Sequence, residues 1–303
     1  MVETLPIDVL GAVRCTVGES PLWSPAEQAL FWVDIEGRAV HRWRRADGAL
    51  QSWTLDERPA CLSLHPQGGL VCALESRVVH LQLHEDGRTD QHTLASVTHR
   101  QPGMRFNDGR CDRAGTFWVG SMVMNMALAV PAGQVYRLQG AACAEAPDMP
   151  SLLVPNGLAF SPDGRTAYLS DSHPSSQQIW AFDLDADGTP SGRRLFVDMN
   201  AHPGRPDGAA VDTDGCYWTC ANDAGLLHRF TPQGRLDRSL RVPVSKPSMC
   251  AFGGPNFDEL YITSIRPAVP PPGEEALAGA TFVCRPGVQG LAETPWRADS
   301  PVR

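Results

Sequence analysis

Arg205-Pro206-Asp207-Gly208-Ala209-Ala210-Val211-Asp212-Thr213-Asp214-Gly215-Cys216-Tyr217-Trp218 sets an acidic residue at the head of a short apolar run. An Asp-Gly turn comes next, then an aromatic run. Such runs, bounded by Gly and Asp, spell strand, tight turn, strand. Val154-Pro155-Asn156-Gly157-Leu158-Ala159-Phe160-Ser161-Pro162-Asp163-Gly164-Arg165-Thr166-Ala167-Tyr168-Leu169 writes the same pattern upstream, with Asn156 where Asp207 stands.

Four further copies align on the same turn, beginning at Glu19, Ala60, Asn107 and Ser248. The turns succeed one another at 41, 47, 49, 51 and 41 residues. A period of roughly 40–50 residues with several short strands per unit is that of β-propeller blades. Most copies continue into a third strand, as in Gln178-Ile179-Trp180-Ala181-Phe182 and Leu226-Leu227-His228-Arg229-Phe230. No segment keeps a helical stripe. One blade alone leaves an apolar face in water, so six must close into a ring. The expected fold is all-β, a six-bladed β-propeller forming a single domain over residues 1–303. A strand near residues 6–15 is expected to close the ring beside Thr281-Phe282-Val283-Cys284.

The formal charge of −8 argues against nucleic acid or a membrane surface as partners. No run approaches about 18 apolar residues, and no basic segment followed by an apolar run opens the sequence. A cytoplasmic protein, monomeric or weakly homo-oligomeric, is expected. The nine Cys are scattered, without Cys-x-x-Cys, and read as small buried thiols. The His residues are also unclustered. His202 reads as an exposed loop residue, Arg44-Arg45 as a solvated turn, and Pro270-Pro271-Pro272-Gly273-Glu274-Glu275 as a mobile loop.

The inner strand of each blade lines the channel, so its first residues converge from all six copies. That slot holds Glu19, Ala60, Asn107, Asn156, Asp207 and Ser248. Asn-Gly and Asp-Gly pairs are common turn formers and need no ligand. Their shared phase in a closed ring changes the expectation, because carboxylates brought together repel unless a cation lies between them. Oxygen donors without Cys or His suit calcium, magnesium or manganese.

Gly18-Glu19-Ser20-Pro21-Leu22-Trp23, Arg105-Phe106-Asn107-Asp108-Gly109, Val154-Pro155-Asn156-Gly157-Leu158, Arg205-Pro206-Asp207-Gly208 and Cys250-Ala251-Phe252-Gly253-Gly254 resemble the gluconolactonase, senescence marker protein (regucalcin) and luciferin-regenerating enzyme family. The resemblance runs in order along nearly the whole chain. It implies a six-bladed propeller with one divalent cation in the channel (calcium, zinc, manganese, magnesium or iron(II)) and hydrolysis of a sugar lactone. It also implies metal ligands Glu19, Asn156 and Asp207, and substrate contacts Arg105 and Asn107. Where better-known members carry a Glu after Gly-Thr-Met, Gly120-Ser121-Met122-Val123-Met124-Asn125-Met126 places Asn125. Asn125 is thus the expected third substrate contact, uncharged but able to donate and accept. Met122, Met124 and Met126 form either a lid or blade packing.

Lactone opening needs a polarised carbonyl, a positioned water and a stabilised oxyanion. A divalent ion supplies the first. Asp207 would serve as ligand and general base, Arg105 as oxyanion or hydroxyl donor, Asn107 as orienter. Asp108 reads as a loop tie. A Gly-x-Ser-x-Gly elbow is absent, which argues against a serine nucleophile. Alternatives are a metal-dependent esterase of another substrate class, or a non-catalytic calcium-binding propeller.

Overall fold

The computed structural model describes residues 2–298. Six antiparallel sheets succeed one another along the chain, each running from an inner to an outer strand. The inner strands are Gly18–Ser24, Cys61–Leu64, Met104–Cys111, Pro155–Phe160, Arg205–Val211 and Pro247–Gly253. Each touches the next and the sixth touches the first, which closes the ring as expected. Two short 3-10 turns are the helical content among the described residues.

Alternation inside each strand sends apolar side chains to both faces of its sheet, and each face is buried against a neighbouring blade. The core therefore divides into six apolar layers, one at each joint between blades. Trp32, Trp118, Trp218, Tyr217 and Tyr261 of the second strands are buried in these layers. No single layer is closed until both of its blades are present.

Ile7–Leu10 is the outermost strand of blade six, with Val9 opposite Phe282, as the sequence predicted. Val2–Glu3 goes further and pairs parallel with Leu236–Arg241 of blade five, which the sequence did not suggest. Arg45 is more than a solvated turn residue: it reaches the buried Glu259 and ties blade one to blade six. The Pro270–Glu275 loop is held back by Glu274, whose Oε2 accepts from the amide and the hydroxyl of Ser245 at 2.8 and 3.0 Å. His202 is half-buried, its ring edge-on to Phe230 at 5.2 Å, rather than exposed in solvent.

Five of the six inner strands carry a β-bulge at the same height. The register slips between Glu19 and Leu22, Phe106 and Gly109, Asn156 and Ala159, Pro206 and Ala209, and Pro247 and Cys250. Blade two, with Ala60 in the slot, pairs without a slip. A bulge breaks the alternation of side chains and re-aims one of them, so the slot residues of five blades turn out of the regular pattern. Gly157 and Gly208 make this possible. Gly157 has φ +61°, and a Cβ there would collide with the Tyr217 hydroxyl; a Cβ at Gly208 would collide with Met249.

Candidate functional site

The bulged layer sorts into two kinds of residue. Some slot positions are spent on stitching blades together. Asn107 Nδ2 donates to the Pro155 carbonyl at 3.1 Å, binding blade three to four. Ser248 gives its hydroxyl to the Gly18 carbonyl, joining blade six to one. Ser20, next to Glu19, accepts from the Leu62 amide at 2.8 Å, joining one to two. Asp108 Oδ2 accepts from the Leu158 amide at 2.8 Å, the loop tie expected of it.

Glu19, Asn156 and Asp207 belong to the second kind. Asn156 Nδ2 donates to Asp207 Oδ1 at 2.5 Å, while Asn156 Oδ1 accepts from the Gly157 amide at 2.9 Å. Asp207 is buried, and its Oδ2 accepts from Asn222 Nδ2 at 2.6 Å. Glu19 is half-buried and accepts from the Ser20 amide at 3.3 Å, a long bond. The Glu19 carboxyl is pushed well above the usual carboxylate range, first by leaving water and then by the charges of Asp207 and Asp108. Burial lifts Asp207 to about 6, against the pull of Arg205 and Asn222. Asp108 is raised by burial as well, and its Oδ1 is buried without a partner. Arg205 turns away to Asp223 at 2.8 Å.

Three acids thus meet where a positive charge would stabilise all of them. Glu19, Asn156 and Asp207 offer oxygen donors only, the set that suits a hard divalent cation. The raised carboxyls fit such an ion, because a cation favours the ionised form that burial and mutual repulsion disfavour.

Arg105 and Asn107 lie beside this group. Both are buried, and Arg105 Nη1 donates to Asn107 Oδ1 at 2.8 Å and to the Phe106 carbonyl at 2.7 Å. Burial lowers the guanidinium's hold on its proton. The pair is preorganised: Asn107 fixes the arginine while keeping one lone pair and one N–H in reserve. Asn125 stands apart. It is exposed at the head of the short turn Met126–Leu128 and makes no capping bond with its side chain. The methionines divide, Met122 buried in the blade opposite Arg105 and Met124 exposed at 40%.

Sequence reasoning missed Asn222, which is fully buried and holds the second oxygen of Asp207. A signal existed: Asn222 ends the second strand of its blade, as Asp34 and Asp171 end theirs. A cleft of about 410 Å³ between blades four and five lies beside Asp163 and Asp214, at the opposite end of the inner strand from Asp207, away from these groups.

The sequence model of the SMP-30/Gluconolactonase/LRE-like region matches residues 17–266. A 6-deoxy-6-sulfogluconolactonase of Pseudomonas putida is 36% identical over 280 residues, covering 91% of this chain and 94% of that protein. Regucalcin of Gallus gallus is 31% identical over 304 residues, covering 97% and 99%. The solved structure of a calcium-binding regucalcin from Agrobacterium tumefaciens superposes with a TM-score of 0.88 at 25% identity, covering 98% of this chain and 99% of that one. No helix among the described residues is long and apolar enough to cross a membrane.

Proposed function

We propose, from the premise that this chain belongs to the SMP-30/Gluconolactonase/LRE-like family, that it hydrolyses the lactone of a sugar acid to the free acid, acting as one propeller unit with a divalent cation in its channel. The convergence of Glu19 and Asp207, both lifted above the ordinary carboxylate range, carries the reading. The sulfogluconolactonase relative supports the substrate class.

Glu19, Asn156 and Asp207 would hold the ion, which when bound would supply Lewis-acid polarisation of the lactone carbonyl. Asp207 takes the proton of the attacking water. Without the ion, burial lifts this carboxyl to about 6; a bound cation would hold it ionised and so free to accept the proton. Asn222 and Asn156 grip one oxygen each and fix the direction of that proton transfer. Arg105, locked by Asn107, donates to oxygen charge as it develops on the opened ester. Asn107 and Asn125 hydrogen-bond ring hydroxyls, the latter from an exposed and adaptable position.

The test is acid release from pentono- and hexono-lactones, among them a 6-deoxy-6-sulfo analogue, by metal-reconstituted protein. Aryl esters and phosphotriesters serve as controls. Lactone turnover that vanishes on chelation and in Asp207→Ala supports the proposal. Ester turnover exceeding lactone turnover, or calcium binding without turnover of any substrate, overturns it.

A further inference from the structure

Blade one contains a second group of metal-ligand atoms. One ligand atom each from Cys15, Asp34 and His41 lies within 4.8 Å of the other two, and all three residues are buried. Asp34 alone is explained by the repeat. Its oxygens accept from the Thr16, Val17 and Gly37 amides at 2.9–3.0 Å, as Asp171 accepts from Leu153, Val154 and His173 in blade four. The other two are not explained by it. Where blade one has Cys15 and His41, the corresponding blade-four positions hold Leu152 and Trp180, both buried and apolar.

Blade five sharpens the contrast. His228 sits opposite Ser239 as His41 sits opposite Ser52, and the Nδ1–Oγ distances are 2.8 and 2.7 Å. The Nε2 of His228 then meets the Pro203 carbonyl at 2.9 Å. The Nε2 of His41 is buried with no hydrogen-bond partner. A buried ring nitrogen without a hydrogen-bond partner, in a group that also holds a thiol and a carboxylate, is one that a bound cation would satisfy.

We infer that Cys15, Asp34 and His41 form a second, structural site for a borderline-soft divalent cation of the zinc type, separate from the oxygen-lined channel. Thiolate, imidazole and carboxylate are the donors zinc takes, and one thiolate with one carboxylate neutralises its charge. Tetrahedral bond lengths place such donors roughly 3.3–3.8 Å apart, so atoms that lie within 4.8 Å of one another need contract by no more than about 1.5 Å. Burial brings His41 down to about 4, which leaves the imidazole neutral, the form that ligates. Burial, and then Asp34, push Cys15 up to about 12, so binding the cation releases one proton, from Sγ to solvent. The site lies at the seam of the ring, where the Cys15 amide donates to the Gly279 carbonyl at 2.8 Å and the Thr16 carbonyl accepts from the Arg266 amide at 3.1 Å. The ion would clamp this segment onto the second and third strands of blade one.

The full-length protein, stripped and loaded with Co²⁺, tests this. A thiolate-to-cobalt charge-transfer band, which an all-oxygen site does not give, is expected in wild type. It should persist in Asp207→Ala and disappear in both Cys15→Ser and His41→Gln. Circular dichroism confirms that the variants fold; should either fail, X-ray absorption of zinc-loaded Asp207→Ala decides. One sulfur near ~2.3 Å and one imidazole support the site. A folded wild type without the band, a band that survives both substitutions, or a sulfur-free zinc shell overturns it.

Discussion

Asp207 and Asp212 lie five residues apart on one blade, both buried, and are used in opposite ways. Asp212 is saturated. Its Oδ1 accepts from the Asp214 and Cys216 amides at 3.0 and 2.9 Å, and its Oδ2 from Trp218 Nε1 and Arg229 Nε, each at 2.8 Å. Asp112 repeats the arrangement in blade three, with the Ala114 and Thr116 amides and Trp118 Nε1 at 2.8–2.9 Å. Asp207 has two neutral amides, and the nearest arginine in sequence is paired elsewhere. The difference separates a carboxylate that holds a turn from one held ready for a ligand. Donors complete at one end of the strand mark structure; charge uncompensated at the other marks a site.

The strongest way to break this contrast is to exchange the phenotypes. Asp207→Ala should lower lactone turnover by at least on the order of 10³-fold while the metal-free protein melts no lower than wild type, as steady-state rates and calorimetry would show. If Asp207→Ala unfolds the chain, Asp207 belongs with Asp212. Asp212→Asn should do the reverse. It sets an amide N–H against Trp218 Nε1 and Arg229 Nε, removes one of the three carboxylates around Arg229, and should cost about 1–3 kcal/mol in denaturant unfolding, with kcat of the surviving folded protein near wild type.

The pH dependence sharpens the same distinction. A carboxyl raised from 3.8 to about 6 on folding binds its proton more tightly in the folded state. Its stabilising contribution is present below pH 4, falls as pH rises through 4 to 6, and is gone above. For Asp207 this amounts to roughly 3 kcal/mol in the metal-free protein. Metal-free wild type should therefore lose stability across that window and Asp207→Asn should lose less, the remainder coming from the raised Glu19 and Asp108, and saturating divalent cation should remove the loss.

Smaller effects are expected for the supporting residues. Asn222 holds Asp207 down by its hydrogen bond. Asn222→Leu should therefore move the acid limb of the rate profile to higher pH and slow turnover about tenfold, the scale of a hydrogen bond to a charged group. Asn125→Ala, altering an exposed side chain with no capping bond, should change KM by no more than about threefold and leave unfolding within ±0.5 kcal/mol.

Much of this was legible in the sequence because the repeat is written in local chemistry. Turn residues, aromatic second strands and anchor spacing specified six blades, and the slot alignment brought Glu19, Asn156 and Asp207 to one level. The bulges were not legible: a register slip depends on how two strands pair, and Ser20-Pro21 and Asn107-Asp108 look like ordinary strand starts. Asn222 was marked only by its place at the end of a second strand, and its contact with Asp207 runs across a strand pair rather than along the chain. Asp112 and Asp212 were in plain view as Asp-x-x-Gly-x-x-Trp written twice. Cys15, Asp34 and His41 obey no ligand spacing because three separate segments deliver them. Asn107 shows a further limit, since only the fold reveals that its amide already serves Arg105 and Pro155.

The pairing of Ile7–Leu10 with Thr281–Cys284 has a consequence for biosynthesis. Residues 7–10 are made more than 270 residues before their partners. At roughly 5–20 residues per second they wait tens of seconds, while five blades form beside an open ring. Until the late strand arrives, blades one and six present bare joint faces and an unpaired edge to any other nascent chain. Ring closure is then the capture of an early segment by a late one. That step is where a chaperone would have the most to protect.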